Sequence, residues 1–153
     1  MITRNRKDLE FKCDQVYFTD ALKIVKDLKM EVLLKKNAHC VGLAHNQIRG
    51  RKCVFIAKLG SKWRSFINPE VVHHGDAKYR SVERCMSFPN KWNKVDRFFK
   101  ISIRHQVKAR SDHTGDAFIV EGFHGSEAQI IQHELDHING IHIFNKTGGK
   151  ENE

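Results

Sequence analysis

Residues 132–137 read QHELDH and place two histidines four positions apart, with a glutamate directly after the first. This order matches H-E-x-x-H, the helical pattern that holds a catalytic metal ion in many hydrolases. On a helix, His133 and His137 share one face and lie about 5–6 Å apart at Cβ. A catalytic zinc or iron site also needs a third protein ligand, which must come from elsewhere in the chain.

The third ligand lies either downstream or upstream of the histidine pair. An extended metalloprotease pattern would place a histidine where this chain has Ile143, and His142 misses that position by one residue. The downstream carboxylates Glu151 and Glu153 belong to a polar tail that we expect to be disordered. Upstream, a Cys85 thiolate with two imidazoles would bind zinc or iron(II) and leave a position open for water. A lone intracellular cysteine is more often a small buried hydrophobe.

Two helices are predicted around this chemistry. Ser126 and Gln129 form a capping-box pattern, which predicts the start of the histidine helix, and the Asn-Gly pair at 139–140 predicts its end. Earlier in the chain, FTDALKIVKDLKMEVLLKK (18–36) has apolar residues at helical spacing, with Thr19 as its N-cap.

Between these helices the sequence predicts strands. A loop centred on Pro89 and Trp92 divides them, and the last two are expected to pair as a hairpin. The β-like runs are 53–59, 63–68, 71–74, 98–109 and 117–123. Strands and helices are segregated, so we predict an α+β fold: antiparallel sheets packed around a C-terminal metal-binding helix, with an N-terminal helix.

The composition fits one domain, 1–153, in which about 147–153 form a flexible tail. We find no signal-peptide pattern and no apolar run near the ~18 residues of a membrane span. The four cysteines form no C-x-x-C pair, which favours a reduced, cytoplasmic compartment. The formal charge is +9, but the basic residues are interspersed with acidic ones, as on a solvated surface. We therefore expect no membrane and no specific nucleic-acid partner.

Three motifs, taken together, resemble those of the peptide deformylases. The family carries G-x-G-x-A-A-x-Q, E-G-C-x-S and Q-H-E-x-D-H; here they read CVGLAHNQ (40–47), ERCMS (83–87) and QHELDH (132–137). The third motif is complete. The others depart from the family where Cys40 and Arg84 replace glycines and His45 replaces an alanine. The resemblance extends from the first helix to Phe144.

The resemblance implies a metal-dependent hydrolase that removes the formyl group from N-formylmethionyl peptides and releases formate. It makes Cys85, His133 and His137 the ligands of one divalent metal ion, which would polarise the formyl oxygen and lower the pKa of water. Glu134 lies about 100° round the helix from His133. It would act as general base and then as general acid.

Other residues acquire roles through the same resemblance. Gln47 and the backbone N–H of Met86 would form an oxyanion hole, although an ordinary surface position for Gln47 is the alternative. The backbone around Val41, Gly42 and Leu43 would bind the extended peptide.

A further group would support the ligands. The resemblance implies an ion pair between Glu83 and Arg97 that stabilises the segment around Cys85. Gln132 and Asp136 would orient the ligands through hydrogen bonds.

The resemblance also implies the cofactor and the partners. We expect one divalent metal ion per chain, Fe(II) natively, with Zn, Ni or Co able to substitute. The substrates would be nascent N-formylmethionyl polypeptides, met close to the ribosome in the cytoplasm by a monomer. Family members typically continue into a ribosome-docking helix, which we do not expect in a chain that stops at Glu153. Such a short version suits a viral or organellar copy.

Two other function classes remain open from the sequence. A different metallopeptidase would need a ligand downstream of His137. A basic RNA- or ribosome-associated module would carry a structural metal site with four ligands. The candidates for its fourth ligand are His73, His74, His105 and His124.

Overall fold

The computed structural model of the chain describes residues 1–36, 39–109 and 116–146. A 3₁₀ turn, His45–Ile48, follows the first strand. The helices and strands in these ranges are α1 (Arg6–Leu9), α2 (Phe18–Lys35), β1 (Gly42–Ala44), β2 (Val54–Leu59), β3 (Lys62–His74), β4 (Lys78–Cys85), β5 (Phe88–Phe98), β6 (Lys100–Lys108), β7 (Asp116–His124) and α3 (Gly125–Ile138).

The strands form two separate antiparallel sheets. The larger has the order β1-β2-β3-β6-β7, and the smaller pairs β4 with β5. Strand β1 therefore lies at an edge of the larger sheet. The predicted α+β class, with antiparallel sheets and a C-terminal helix, is confirmed. The predicted tail at 147–153 lies outside the described residues. No helix in the described ranges is long and apolar enough to cross a membrane.

Strand β2 is buried on both faces from Val54 to Ala57, which explains the continuous apolar sequence of these four residues. Val54 and Ile56 point to one face and pack in a cluster with Val25 of α2. Phe55 and Ala57 point to the other and pack with residues of α3. Because successive side chains of a strand alternate between faces, a strand between two helices needs apolar residues at every position. The sheet thus separates α2 from α3 and gives each helix its own core.

The predicted helix at 18–36 is present as α2, but its N-cap prediction is wrong. The helix begins at Phe18 with Tyr17 as the N-cap, and no side chain there bonds to the helix. The buried stripe of Ala21, Val25 and Leu28 has helical spacing. Packing of that stripe on the sheet, rather than capping by Thr19, therefore explains where the helix lies.

The predicted loop around Pro89 and Trp92 is wrong, because this segment is strand β5. It pairs with β4, which the sequence reading missed, and Cys85 is the last residue of β4. From Pro89 to Trp92 the side chains of β5 are exposed, so the usual apolar alternation is absent. The runs 63–68 and 71–74 also join into one strand, β3, with shifts in register.

Strand β7 runs directly into α3, and the capping box predicted at Ser126 and Gln129 is therefore wrong. His124 is the N-cap and makes no side-chain cap bond. Gly125 has φ +58°, which allows the sharp turn from strand to helix. Beyond Ile138 the predicted end is present, with Asn139 as C-cap and Gly140 at φ +77°.

Gly140 should resist substitution more than a glycine with the same backbone conformation in open space. A Cβ at Gly140 would come within 3.0 Å of the Phe11 backbone, whereas Gly60, at φ +61°, has nothing within 4 Å. Left-handed strain costs about 1–2 kcal/mol in both, and overpacking adds about 1–3 kcal/mol at Gly140. We expect Gly140→Ala to lower the free energy of unfolding by more than Gly60→Ala, as measured by urea denaturation. Equal losses would contradict the packing argument.

Candidate active site

Three potential metal ligands meet where the end of β4 faces α3. Cys85 Sγ lies 3.2 Å from His137 Nε2, which lies 3.2 Å from His133 Nε2. The three ligand atoms are all within 4.8 Å of one another. Metal–ligand distances of about 2.0–2.3 Å in a tetrahedron would separate such atoms by about 3.4–3.6 Å. The spacing therefore fits a single ion bound by one thiolate and two imidazoles.

The protonation of the two histidines supports this fit. Burial alone lowers the pKa of His133, but hydrogen bonding with Cys85 and Glu83 raises it well above its usual value. Burial, together with the neighbouring His133, holds the pKa of His137 well below its usual value. A metal ligand must be unprotonated. His137 is therefore already in the ligand form, whereas His133 would have to lose its proton to bind a cation.

An ion-pair network of Glu83, Arg97, Asp136 and Lys146 supports His133, and its Glu83–Arg97 pair is buried. Arg97 donates to both oxygens of Glu83, at 2.6 and 2.7 Å, and also to Asp136. Glu83 Oε2 lies 2.8 Å from His133 Nδ1, which orients that imidazole. Burial would raise the pKa of Glu83, but Arg97 and His133 lower it to about 2. The ion pair expected between Glu83 and Arg97 is thus present.

Two members of the predicted supporting group have different surroundings from those expected. Asp136 acts through Arg97 and also accepts hydrogen bonds from Lys146 at 2.7 and 2.8 Å. Gln132 contacts no ligand: its amide exchanges hydrogen bonds with the backbone of Phe98, at 3.0 and 2.9 Å. Gln132 therefore connects α3 to the end of β5, and its predicted role in orienting the ligands is corrected.

Gln47 is held inside the site by its amide. Its Oε1 accepts a hydrogen bond from the backbone N–H of Ala44 at 2.9 Å. Its Nε2 lies 3.2 Å from Ser87 Oγ and 3.4 Å from Cys85 Sγ. The side chain is 1% exposed, so the alternative of a surface position is wrong. With its oxygen occupied by Ala44, the amide directs its N–H donors towards the ligand cluster.

Glu134 lies against β1, where only a glycine leaves room for it. A Cβ added to Gly42 would overlap the Glu134 carboxyl group. Burial raises the pKa of Glu134 to about 7, and its Oε2 has no hydrogen-bond partner among the described residues. This carboxyl group lines the cleft in front of the ligands, where it can exchange a proton with water.

A cleft of about 720 Å³ opens in front of the ligand cluster, between β1 and the β4–β5 hairpin. Val41 and Gly42 line one side, and Met86 lines the other. Because β1 is an edge strand, an extended peptide can bind along it through backbone hydrogen bonds. The side chain of Leu43 is instead fully buried in the core beneath the sheet. Only its backbone is available to a peptide, and the role expected from the resemblance is a backbone role.

The unusual residues of the first motif are accommodated locally. Cys40 lines the cleft and donates to the Gly42 carbonyl; burial, with Glu134 nearby, raises the pKa of its thiol to about 11. His45 Nδ1 accepts a hydrogen bond from the backbone N–H of Lys52 at 3.2 Å. His142, the near miss of the extended motif, contacts Glu10 at 3.0 Å and lies outside the ligand cluster.

Sequence reasoning overlooked three residues that support the site. Ser87 accepts a hydrogen bond from Gln47, and Asn46 donates to the backbone oxygen of His137. Both residues lie within the quoted sequence motifs, and this position could have indicated that they support the site. Lys146 follows Asp136 by ten residues, and no sequence pattern links the two.

Comparison with known proteins agrees with this geometry. The family model "Polypeptide deformylase" matches residues 1–153. The chain belongs to the polypeptide deformylase family. It is therefore a metal-binding hydrolase of the class that removes N-formyl groups, and nothing supports an RNA- or ribosome-associated module instead.

Similar proteins include bacterial deformylases and one from a bacteriophage. Peptide deformylase 1 of Clostridium perfringens is 32% identical over 124 residues, covering 80% of this chain and 78% of that protein. The peptide deformylase of Thermotoga neapolitana is 29% identical over 129 residues, covering 84% and 74%. The enzyme of the Vibrio parahaemolyticus bacteriophage VP16T, solved in complex with actinonin, is 26% identical with a TM-score of 0.79, covering 93% and 98%.

Removing Arg97 should destabilise the protein far more than removing an arginine from a surface pair. Arg97 is 1% exposed between Glu83 and Asp136, and breaking a buried ion pair costs about 3–5 kcal/mol. The exposed pair of Arg80 and Asp96 should contribute about 0–1 kcal/mol. We expect Arg97→Met to lower the free energy of unfolding by the larger amount and Arg80→Met by the smaller, in urea denaturation. Similar losses would show that the buried network contributes no more than a surface pair.

Proposed function

We propose that this protein removes the formyl group from N-formylmethionyl peptides at the cluster of Cys85, His133 and His137. The observation that carries the proposal is the convergence of these ligand atoms within 4.8 Å beside a cleft. The reaction adds water across the formyl C–N bond, so that formate leaves and the peptide keeps a free amine. It needs polarisation of the carbonyl, a base for the water, and a proton for the nitrogen.

The donor set of one thiol and two imidazoles suits a divalent cation, which would supply a Lewis acid for the formyl oxygen and lower the pKa of water. Glu134 is the base of this proposal. Its buried carboxyl group accepts a proton from the attacking water and returns it to the departing nitrogen. The pKa of about 7, raised by burial, is close to what proton exchange near neutral pH requires; a bound cation would lower it.

Negative charge that develops on the formyl oxygen needs donors that are already in place. The Gln47 amide, fixed by Ala44 and directed towards Cys85, is one donor of this proposal. The backbone N–H of Met86, directly after Cys85, is the second. Such donors act strongly in a buried site, because they need no reorganisation as the charge forms.

The substrate of this proposal is an extended peptide that pairs with the edge of β1 near Val41 and Gly42. A peptide in this position would present its formyl group to the ligand cluster. The phage relative was solved in complex with actinonin, which supports a ligand-binding role for a protein of this fold. Nascent polypeptides made in the cytoplasm, close to the ribosome, are the corresponding physiological substrates.

All residues of the proposed mechanism come from one chain. We therefore propose that the protein is active as a single-domain monomer. Sedimentation at the enzyme concentrations used in the assay should give the mass of a single chain. A dimer that loses activity on dilution would contradict it.

Cys85 is proposed to bind the metal and Glu134 to transfer protons. Variants of the two residues should therefore lose activity for different reasons. Cys85→Ser should lose metal and activity together, because the two imidazoles lose their shared partner. Glu134→Gln preserves shape but cannot accept a proton. It should keep the metal and lose about 10²–10⁴-fold in kcat.

Both variants are tested on the same preparations by metal analysis and formate release from a formyl-Met peptide. The unchanged chain, purified without oxygen, is the reference. If Glu134→Gln loses the metal while Cys85→Ser retains it, the proposed ligand set is wrong.

Gln47→Ala should lower kcat by about 10²–10³-fold while metal content stays at the level of the unchanged chain. The reason is the loss of one preorganised donor to the formyl oxygen. Gln15→Ala, at an exposed position, provides a glutamine control and should leave formate release unchanged. A kcat for Gln47→Ala within a few-fold of normal would remove Gln47 from the oxyanion hole.

We propose Fe(II) as the native ion. Thiolate and imidazole ligands bind both iron(II) and zinc, and the family resemblance favours iron(II), which oxidises readily. Apoprotein loaded without oxygen with iron or nickel should release formate faster than protein loaded with zinc to equal occupancy. Equal rates for the three ions would argue against iron as the functional metal.

A further inference from the structure

The mouth of the cleft carries exposed cations, which we call the cationic rim: Arg4, Lys35, Arg84 and Lys91. All four line the cleft and are solvent-exposed. Among the residues that the structure describes, none of the four takes part in an ion pair. Charges at a protein surface are normally solvated or paired with neighbours. Four cations without ion-pair partners around one opening therefore give that opening a positive electrostatic potential.

The rim surrounds the opening because its members come from different elements. Lys35 is the last residue of α2, on the side of the cleft that leads to β1. Arg84 and Lys91 lie on β4 and β5, on the hairpin side. Arg4 belongs to the segment that precedes α1. A ligand that enters from solvent must therefore pass between cations on both sides.

Acidic groups inside the cleft do not neutralise the rim. Among the described residues that line the cleft, only Glu83 and Glu134 are acidic, and each is 3% exposed. Glu83 is already paired with Arg97, and the carboxyl group of Glu134 is buried against Gly42. A cleft with low-dielectric walls concentrates the field of the charges at its mouth. The entrance is therefore positive, and the two acidic side chains of the floor are buried.

Arg84 adds a cation that the family motif does not contain. It directly precedes Cys85 and stands where the motif E-G-C-x-S has glycine. An extended peptide advances about 3.3 Å per residue. A chain with its formyl group at the ligand cluster would therefore bring the residues just after methionine out towards the rim.

We propose that the cleft selects formyl-methionyl peptides with acidic side chains directly after the methionine. This inference rests on the proposed function and specifies its substrate class. The carboxylates of such peptides would meet the cationic rim as the chain enters, whereas lysine or arginine side chains would be repelled. The attraction is exposed to solvent, so it should weaken as salt shortens the Debye length to about 8 Å at physiological ionic strength.

The test compares two peptides that differ only in charge, formyl-Met-Asp-Ala-amide and formyl-Met-Asn-Ala-amide. Formate release by the metal-loaded full chain gives kcat/KM for each, at low salt and at about 0.15 M salt. We expect the aspartyl peptide to be preferred about fivefold at low salt, with a smaller ratio at higher salt. Because both peptides undergo the same reaction, their ratio cancels effects on the shared chemical steps.

Two rim variants and one control assign the preference to the rim. Arg84→Gly, which restores the family motif, and Lys91→Gln should each reduce the ratio. Lys12→Gln removes an exposed charge that does not line the cleft and should keep the ratio of the unchanged chain. A ratio near one in the unchanged chain, or an equal decrease in Lys12→Gln, would overturn the inference. Failure to release formate from either peptide would instead contradict the proposed function, and the inference with it.

Discussion

Burial of the Arg97 guanidinium is the constraint on which the order of the site depends. A buried arginine is tolerated only with acidic partners and satisfied donors, and Arg97 finds them on two different elements. Glu83 lies on β4, and Asp136 lies on α3. The hairpin and the helix therefore cannot separate without leaving charges unpaired in the interior. Since Cys85 ends β4 and the histidines belong to α3, the same constraint keeps the thiol beside the imidazoles.

The larger sheet gives the helix its position, and the ion-pair network orients His133 through Glu83. Apolar packing of α3 on β2 and β3 positions the helix. This packing does not determine the contacts of the polar face of the helix. That face carries Glu134 against Gly42 and His133 against Glu83. Non-directional burial and directional hydrogen bonds thus act on opposite sides of one helix. This combination lowers the free-energy cost of burying a polar cluster in the interior.

The site also combines a protected interior with an exposed entrance. Gln47, Glu134 and His137 are almost fully buried, so their dipoles and charges act with little screening by water. The cations at the mouth are hydrated, and their influence is weaker and depends on salt. On the proposed selection by the rim, chemistry and selection of the substrate could therefore change independently, because they would take place in different dielectric surroundings.

The sequence by itself determined the features that depend on local spacing. Helical periodicity located α2, the alternating runs located the β6–β7 hairpin, and i,i+4 spacing placed His133 beside His137. Only the tertiary structure decided which distant groups meet. Strand β5 was missed because the exposed side chains of its first half follow no apolar alternation. The contacts of Gln132 with Phe98 and of Lys146 with Asp136 link residues on different elements or beyond a helix end. The reason is physical: periodicity follows from backbone geometry over a few residues, whereas the partner of a buried polar group depends on the folded neighbours that exclude water from it.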